Sequence, residues 1–514
     1  MFKGHPKGLI AASLANMGER FGFYTMMAIL VLFLQAKFGL SGGDASIIYS
    51  VFYFSIYILA FVGGVIADRL RNYKGVILTG IIVMAIGYVI VAIPTPTPVP
   101  ESTRTLMLIL TIFGLFVIAF GNGLFKGNLQ ALVGQMYDNK TYGSKRDSGF
   151  SLFYMFINVG AIFAPFLAVG MRNWWLKHNG FEYNPDLPGL CHKYLSSGLS
   201  ENAMTRFEQI QASAGGGEMS LDAFANQYLN VFTTGFHYAF AIAVGAMAIS
   251  LFIYLGNKNK FPNVKKKTVA NLAGTDDTEM STKEIKQRLY ALFAVFGVVI
   301  FFWFSFHQNG LTLTFFARDY TDLSGIAINL GFVKIVGAEV FQAINPLFIV
   351  LLTPIVVGIF GWLRSKGMEP STPKKIAIGM FIAGMAYVVM IIGSMGLPEY
   401  STIDPQQDGA PLAQAQRVTP MLLIGTYLIL TVAELFISPL GISFVSKVAP
   451  PQYQGVMQGG WLGATALGNQ LLLIGAFLYE SAPLWLTWGV FVVACFISMA
   501  SMLFMLKWLE RISK

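Results

Sequence analysis

Charged residues are scarce in this chain. Asp, Glu, Lys and Arg make up 12% of its 514 residues, and the mean hydropathy is +0.61. Because a soluble domain carries about 25% charged residues, this chain has too little polar surface to cover a water-soluble globule of its size. With 55% hydrophobic residues, it is predicted to have lipid as its main solvent, and its length fits one large helical bundle.

Cysteine pairs and the common catalytic motifs are also missing. Cys191 lies in a polar loop and Cys495 in an apolar run, so they provide neither a disulfide framework nor a CxxC metal site. The sequence holds no HExxH, GxSxG or GxxxxGK motif and no carboxylate–histidine cluster that could place a metal or a nucleophile. We therefore expect neither an enzyme nor a nucleotide-driven pump, and no metal or other cofactor.

Long apolar segments dominate what is present. A membrane-spanning helix needs about 20 apolar residues, and twelve segments satisfy this, so the sequence predicts an all-α membrane protein. Two lysines precede the first segment as in a signal peptide, but Glu19 and Arg20 interrupt it, which indicates a retained helix. The predicted spans are 9–36, 46–67, 75–94, 105–133, 149–172, 232–255, 289–316, 336–362, 375–396, 419–446, 456–479 and 484–507.

The basic residues indicate an orientation. With a cytoplasmic N-terminus, the cytoplasmic segments hold 24 of the 35 Lys and Arg residues, the opposite side holds nine, and two lie inside spans. This is the positive-inside bias of a multispanning protein. The net charge of +9 is then explained by topology and needs no nucleic-acid partner. We expect a multi-pass protein of a bacterial inner membrane, surrounded by lipid, with both termini cytoplasmic; the oligomeric state is not predicted.

Two long polar segments organise the chain. Residues 256–288 form a charged cytoplasmic linker, which divides the protein into six-helix halves at 1–255 and 289–514, the arrangement of major facilitator transporters. Residues 173–231 form an extracytoplasmic loop that we expect to fold as a small cap.

A weak internal repeat also suggests two related halves. GGVIADRLRNYK closes the second span of the first half, and GIFGWLRSKG closes the second span of the other half. The alternative is simply positive-inside charge at two helix ends. We assign Asp68 and Arg69, in the first of these motifs, to gating or topology.

Five ionisable residues fall well inside predicted spans, where a charge costs about 2.5–3.5 kcal/mol on insertion scales and therefore usually faces a functional cavity. Asn16, Arg20 and Tyr24 share one helical stripe, with Glu19 beside it. Adjacent residues on a helix point about 100° apart, so we expect Glu19 and Arg20 to find partners on other helices; the alternative is a pair that neutralises itself. The five residues are Glu19, Arg20, Lys126, His307 and Glu434.

For each of the other three ionisable residues, a purely structural role is the alternative to a functional one. Lys126 lies among Gly121, Gly123 and Gly127, too deep for easy snorkelling, and we expect it to pair with Glu19. Glu434 suits a substrate ammonium, unless it is protonated and inert. His307 suits a proton switch, unless it is a hydrogen-bonded core residue.

Polar and aromatic companions extend this set. Asn158 and Asn345 are amides inside spans, Trp303 and Trp461 could wall a pocket, and Ser438 follows Glu434 on its helix. The cations Arg20 and Lys126 belong to the first half and Glu434 to the second. A zwitterion that bridges them would tie the halves together, as alternating access requires.

Eight motifs along the chain carry a family resemblance: GERFGFY, GGVIADR, GNGLFKGN, FYMFINVGA, WFSFHQ, INPLF, AELFISPLGISFVSKVAP and GGWLGATALGN. In this order, and over nearly the whole chain, they resemble the proton-dependent oligopeptide transporter (POT) family.

The resemblance implies uptake of di- and tripeptides driven by protons, which would be the only coupling agent. It assigns the peptide carboxylate to Arg20, Tyr24 and Lys126, and the amino end to Asn158, Asn345 and Glu434. It assigns side-chain pockets to Trp303 and Trp461, and proton coupling to Glu19 with Lys126.

Three positions depart from the family pattern. Asn16 replaces the first Glu of the signature, Phe23 replaces the first Tyr of its closing pair, and His307 stands where an acid is expected. The linker at 256–288 is also too polar to form the two extra helices of many bacterial members. Our hypothesis is a proton route through Glu19, Glu434 and His307. The alternatives are a facilitator with altered or no proton coupling, or a transporter of another zwitterionic or anionic solute.

Overall fold

The structure is a computed structural model, and it describes residues 5–70, 72–137, 141–142, 146–262, 281–329, 334–404, 409–450 and 454–512. Twelve segments within these ranges are long and apolar enough to cross a membrane. Each coincides with one of the twelve predicted spans, so the predicted all-α membrane architecture is confirmed. The apolar runs fix the helices because a backbone in lipid must satisfy its hydrogen bonds within its own segment.

The helices run in chain order from α1 to α17, and two residue pairs, Ile328–Asn329 (β1) and Lys334–Ile335 (β2), form a small antiparallel ladder. The helices are α1 Lys7–Phe38, α2 Gly42–Leu70, α3 Tyr73–Ala92, α4 Glu101–Met136, α5 Arg146–His178, α6 Leu187–Ser196, α7 Glu201–Ser213, α8 Leu221–Asn257, α9 Thr282–Phe306, α10 Thr312–Tyr320, α11 Ile344–Ser365, α12 Thr372–Gly393, α13 Tyr400–Ile403, α14 Met421–Val448, α15 Gln454–Gln470, α16 Leu472–Ser481 and α17 Leu484–Ile512.

The loop predicted at 173–231 is shorter than expected. Helix α5 continues to His178 and α8 already begins at Leu221, so the connection covers residues 179–220. The apolar runs mark only the lipid-crossing part of each helix, so they do not reveal the polar turns that extend α5 and α8 beyond it. Within the connection, α6 and α7 pack against each other and α6 packs against α8, which matches the expected cap.

The long helices pack in two groups. In the first group α1 lies against α5 and α8, while α4 lies against α2 and α3; in the second α12 lies against α14 and α17, and α9 against α15 and α17. The predicted linker at 256–288 falls partly in α8 and α9, and residues 263–280 lie outside the described part. The division into domains at 255 and 289 stays a prediction.

Hydrogen bonds join the two groups at the end of the bundle that carries residues 39–41, 179–220, 394–404 and 409–420, which we call the cap end. Arg318 Nη1 on α10 donates to Gln35 Oε1 on α1 at 2.8 Å, and the Gly43 amide of α2 donates to Glu480 Oε2 of α16 at 3.0 Å. Helix α2 also packs on α15, and α5 on α11.

Two spans of the second group are interrupted near their middle. The seventh breaks between α9 and α10 in a 3-10 turn at His307–Gly310, and the eleventh breaks at Leu471 between α15 and α16. The two breaks are in contact, because Gln308 Nε2 donates to the backbone carbonyl oxygen of Leu472, the first residue of α16, at 3.3 Å. Tyr427 Oη also donates to Asn309 O at 2.5 Å. Freed backbone groups at membrane depth are tolerated only where protein or a cavity satisfies them.

Glycine allows the closest helix contact in the first group. A Cβ at Gly63 of α2 would overlap the carbonyl oxygen of Gly123 on α4, whereas a Cβ at the neighbouring Gly64 would have nothing within 4 Å. Gly121 of α4 also allows close approach, because a Cβ there would lie 2.5 Å from the backbone nitrogen of Met84 on α3. At Gly127 the nearest atom is an ordinary contact at 3.8 Å.

Gly63→Ala is expected to destabilise the protein, because the overlapping partner is backbone and cannot rotate away. Overpacked cores lose about 1–3 kcal/mol, so the unfolding temperature of the purified protein should fall. Gly64→Ala adds the same methyl group one residue away and should leave the unfolding temperature unchanged. Equal unfolding temperatures for the two variants would contradict this packing.

Candidate functional site

Glu19 and Arg20 of α1 pair with each other. Arg20 Nε donates to Glu19 Oε2 at 2.5 Å and Arg20 Nη2 donates to Glu19 Oε1 at 2.6 Å, with both side chains at most 5% exposed. The expectation that each would find a partner on another helix is wrong for Arg20. A guanidinium is long enough to fold back across the 100° between adjacent residues, and the bidentate geometry neutralises both buried charges.

Asn122 on α4 completes this cluster, and the sequence analysis missed it. Its Nδ2 donates to Glu19 Oε1 at 2.6 Å, and the residue is 1% exposed. Its Oδ1 has no hydrogen-bond partner among the described residues. The available signal was an amide inside a span between two glycines that bring α4 against its neighbours.

Lys126 does not form the predicted pair with Glu19. Within the described residues, no carboxylate oxygen lies within 4.0 Å of its Nζ. The ammonium instead lies 4.3 Å from the centre of the Tyr57 ring on α2, a cation–π contact. The Arg20 guanidinium already occupies both oxygens of Glu19, which explains why Lys126 is left without a carboxylate. Its side chain is half-buried, so a ligand can reach it.

The second group presents a carboxylate held by an amide. Asn345 Nδ2 on α11 donates to Glu434 Oε2 on α14 at 2.9 Å and also lies 3.0 Å from Thr431 Oγ1. The predicted grouping of Asn345 with Glu434 is thus present in the geometry. Glu434 is half-buried, and no basic residue lies within 4.0 Å of it in the described part of the chain.

His307 occupies the break in the seventh span. Its Nδ1 donates to Asn469 Oδ1 on α15 at 2.5 Å, its ring stacks on Trp303 at 4.9 Å, and the residue is buried. This is the geometry of the hydrogen-bonded core histidine that the sequence left as an alternative. Its role in proton coupling stays a prediction.

The remaining predicted residues lie on the expected helices. Tyr24 is half-buried one turn above Arg20, Asn158 is buried on α5, and Ser438 is half-buried one turn after Glu434, with no hydrogen-bond partner for its hydroxyl among the described residues. Their roles stay predictions.

Trp461 and the motif at the end of α2 complete the set. The Trp461 ring is buried against Gly441, where a Cβ would overlap it. Arg69 is exposed at the end of α2, and the side chain of Asp68 lies outside the described part. The gating or topology role of both residues stays a prediction.

The four charged residues of the site differ in whether they are paired. Glu19 and Arg20 neutralise each other, whereas Lys126 in the first group and Glu434 in the second have no ionic partner among the described residues. A half-buried cation and a half-buried carboxylate on separate helix groups can bind the opposite charges of one ligand. Among the described residues, no group of three His, Cys, Asp or Glu could hold a metal ion.

A comparison with protein families decides where this chain belongs. A family model described as the POT family matches residues 74–274 and 263–484, which together span most of the chain. The chain belongs to the POT family. The resemblance predicted from the motifs is thus confirmed, and the molecule is a multi-pass membrane protein of a transporter family.

Individual POT relatives cover almost the full chain. The peptide transporter YePEPT of Yersinia enterocolitica subsp. palearctica is 29% identical over 91% of this chain and 87% of its own length. The di-/tripeptide transporter of Lactococcus lactis subsp. cremoris is 26% identical over 91% of this chain and 89% of its own.

A solved structure confirms the fold. The crystal structure of a POT family transporter in complex with 5-aminolevulinic acid has a TM-score of 0.70 and 21% identity, and the match covers 100% of this chain and 98% of that one. The predicted major facilitator fold is therefore confirmed.

Asn122→Asp is expected to make the stability of this POT protein depend on pH. The new carboxylate would lie beside Glu19, and two adjacent buried carboxylates cannot both be ionised. The folded protein would hold a proton that the unfolded chain releases, so stability should rise as the pH falls, by up to about 1.4 kcal/mol per pH unit.

The unfolding temperature between pH 8 and pH 5, relative to the wild type at each pH, checks this prediction. Asn226→Asp makes the same change at an exposed position of α8 and should follow the wild-type profile. An Asn122→Asp variant that also followed the wild-type profile would show that residue 122 does not face Glu19.

Proposed function

We propose that this protein is a secondary active transporter that imports di- and tripeptides by alternating access, coupled to inward proton flow. The observation that carries the proposal is the placement of Lys126 and Glu434. Each is half-buried, each lacks an ionic partner among the described residues, and they lie in different helix groups. A peptide has one free carboxylate and one free ammonium, which supply both missing partners.

Binding would use the groups around these two charges. The peptide carboxylate would lie at Lys126, with Tyr24 nearby, and would compete with Glu19 for Arg20. The ammonium would lie at Glu434, which Asn345 already orients by its hydrogen bond at 2.9 Å. Asn158 and Ser438 would add polar contacts, and Trp303 and Trp461 would line side-chain pockets. A ligand bridging both groups favours the state in which they approach each other.

Proton coupling would follow from the same competition. When a peptide carboxylate engages Arg20, Glu19 loses its bidentate partner and retains only the hydrogen bond from Asn122 at 2.6 Å. An unpaired buried carboxylate binds a proton more readily, which makes Glu19 the first coupling group. Lys126, His307 and Glu434 would complete the route. One charge crossing 100 mV releases about 2.3 kcal/mol, enough for roughly fifty-fold accumulation.

The names of the relatives support the substrate class. They include a peptide transporter and di-/tripeptide transporters, and proton coupling is typical of the family. A shorter zwitterion is the second candidate, because the solved relative holds 5-aminolevulinic acid, which carries one amine and one carboxylate. The two candidates differ in the distance that the ligand spans between Lys126 and Glu434.

Orientation and location are part of the proposal. The distribution of 24 basic residues against nine supports cytoplasmic termini, which would place the cap end on the outer side. The relatives are bacterial proteins, which supports the inner membrane as the location. Membrane lipids would then be the protein's other contacts, and neither a nucleic acid nor a bound cofactor is required.

Uptake of a labelled dipeptide into proteoliposomes tests the proposal. With an inward proton gradient, the internal concentration should exceed the external one, because proton flow drives net import. Without the gradient, the dipeptide should only equilibrate, and a proton ionophore should abolish accumulation. Protein-free liposomes and labelled glycine are the controls.

Two outcomes would contradict parts of the proposal. Equal initial rates with and without the gradient, and no accumulation, would leave a facilitator. Uptake of glycine or 5-aminolevulinic acid in preference to the dipeptide would favour the shorter substrate.

A further inference from the structure

An open groove lined by polar side chains lies at the cap end of the first helix group, away from the central site. It forms between the loop that joins α3 to α4 and the first turns of α8, and its volume is about 460 Å³. Pockets for small molecules have about this size. Residues 94–97 form one wall, and the side chains of Asn226, Gln227, Asn230 and Thr234 form the other.

The loop wall is fixed by a buried lysine of α1. Lys37 is 2% exposed, and its ammonium donates to Thr95 O at 2.5 Å and to Thr97 Oγ1 at 2.9 Å. Its third contact is Pro96 O at 3.4 Å. The Thr97 amide donates in turn to Asn230 Oδ1 at 3.1 Å. The loop is therefore bound to both α1 and α8, so the groove keeps its shape in the absence of a ligand.

The lining of the groove is uncharged. None of the eight residues that form it is acidic or basic. An ammonium has three N–H donors, and those of Lys37 are directed at the three loop oxygens, so none is left for a ligand. A charged headgroup would exchange part of its water for groups that supply no counter-charge, which is unfavourable. The groove therefore favours an uncharged ligand.

The α8 wall offers both hydrogen-bond donors and acceptors. Asn226 Nδ2 donates to Asp222 O at 2.8 Å, and Asn230 Oδ1 accepts from the loop. In the described part of the chain, Asn226 Oδ1 and Asn230 Nδ2 have no partner, and the side chains of Gln227 and Thr234 make no hydrogen bond. A hydroxyl group both donates and accepts. A ligand with several hydroxyl groups therefore matches this mixture of donors and acceptors.

An apolar strip leads from the groove along α3. Its residues, Ile82, Ile86, Val89 and Ile93, are between 42% and 56% exposed. Their spacings of four, three and four residues place them on one helix face. Ile93 adjoins Pro94, the first residue of the groove, and the other three lie within a membrane span. A ligand in the groove can therefore place a hydrocarbon tail along this strip.

Aromatic residues indicate that the groove lies near the level of lipid headgroups. Trp174 on α5 is 40% exposed, and the neighbouring Trp175 packs edge to face on Tyr238 of α8 at 4.8 Å. Trp and Tyr are enriched where a membrane meets water. Tyr238 lies one helical turn after Thr234, which lines the groove. The groove is therefore within about 5.4 Å along α8 of the interface that these rings mark.

From these observations we propose that the groove binds a membrane lipid with an uncharged, polyhydroxylated headgroup, such as a sugar attached directly to diacylglycerol. The headgroup hydroxyls bind the free polar groups of α8, and the acyl chains lie along the apolar strip of α3. The site is separate from Lys126 and Glu434, so the proposal does not depend on which zwitterion is transported.

Competition among lipids tests the proposal. The purified protein in detergent is mixed with equal amounts of galactosyl diacylglycerol, phosphatidylglycerol and phosphatidylethanolamine that carry the same acyl chains, and the bound lipid is counted by native mass spectrometry. The galactolipid should be retained about tenfold over each phospholipid, the value of one or two hydrogen bonds. Free galactose should not displace it, because galactose has no acyl chain to contact the apolar strip.

Substitutions on α8 identify the groove as the site. Gln227→Leu combined with Thr234→Val removes two free polar groups without breaking a hydrogen bond among the described residues, so the preference for the galactolipid should disappear. Gln227→Lys supplies a counter-charge and should shift the preference to phosphatidylglycerol. Gln209 is exposed on α7, outside the groove, so Gln209→Leu and Gln209→Lys are the matched controls and should keep the wild-type order.

Three results would overturn the proposal. The first is a wild-type protein that retains either phospholipid as strongly as the galactolipid. The second is a Gln227→Leu, Thr234→Val variant that keeps the wild-type preference. The third is displacement of the galactolipid by free galactose, which would assign the groove to a soluble sugar.

Discussion

A charge inside a membrane protein needs a partner, because neither lipid nor a packed helix interface replaces the water that the charge has lost. In this protein the first helix meets that constraint by itself. Arg20 folds back on Glu19 through two hydrogen bonds of 2.5 and 2.6 Å, and Asn122 supports the carboxylate at 2.6 Å. With these two charges satisfied, Lys126 and Glu434 are the site charges that have no ionic partner among the described residues. The proposed function depends on that division.

The same constraint applies at the cap end. There Arg172 on α5 pairs with Glu339, in the turn before α11, so this ion pair joins the two helix groups. Arg172 lies over three aromatic rings, whereas one oxygen of Glu339 has no hydrogen-bond partner among the described residues. In the centre, by contrast, Glu19 and Arg20 both lie on α1, so their ion pair does not connect the two groups. The two ion pairs therefore differ in what they connect, although both are buried.

Almost the whole fold could be predicted from the sequence. Twelve apolar runs specified twelve helices, because length and hydropathy alone decide what spans a membrane, and the motifs located the family. Five of the ionisable residues inside spans were found the same way. The helix ends were less accurate, as at His178 and Leu221, because polar turns continue a helix beyond the lipid and carry no apolar signal.

The sequence did not reveal which buried polar side chains pair with each other. The Glu19–Arg20 pair depends on how an arginine side chain folds, which helical spacing does not specify. Asn122 was overlooked because an uncharged amide is common in packing. Arg172 and Glu339 lie at the edges of their predicted spans, at 149–172 and 336–362, where charges usually face water. Only the three-dimensional arrangement shows that both are fully buried.

The central claim is that Lys126 binds a ligand carboxylate and Glu434 binds its ammonium. The most direct test measures the affinity of the purified protein for dialanine, N-acetyl-dialanine and dialanine amide, in the wild type and in Lys126→Gln and Glu434→Gln. Each blocked terminus should weaken wild-type binding by about ten- to hundredfold, the value of one hydrogen bond to a charged group. Glu434→Gln should become insensitive to acetylation only, and Lys126→Gln to amidation only. Both variants discriminating among the three peptides as the wild type does would contradict the account.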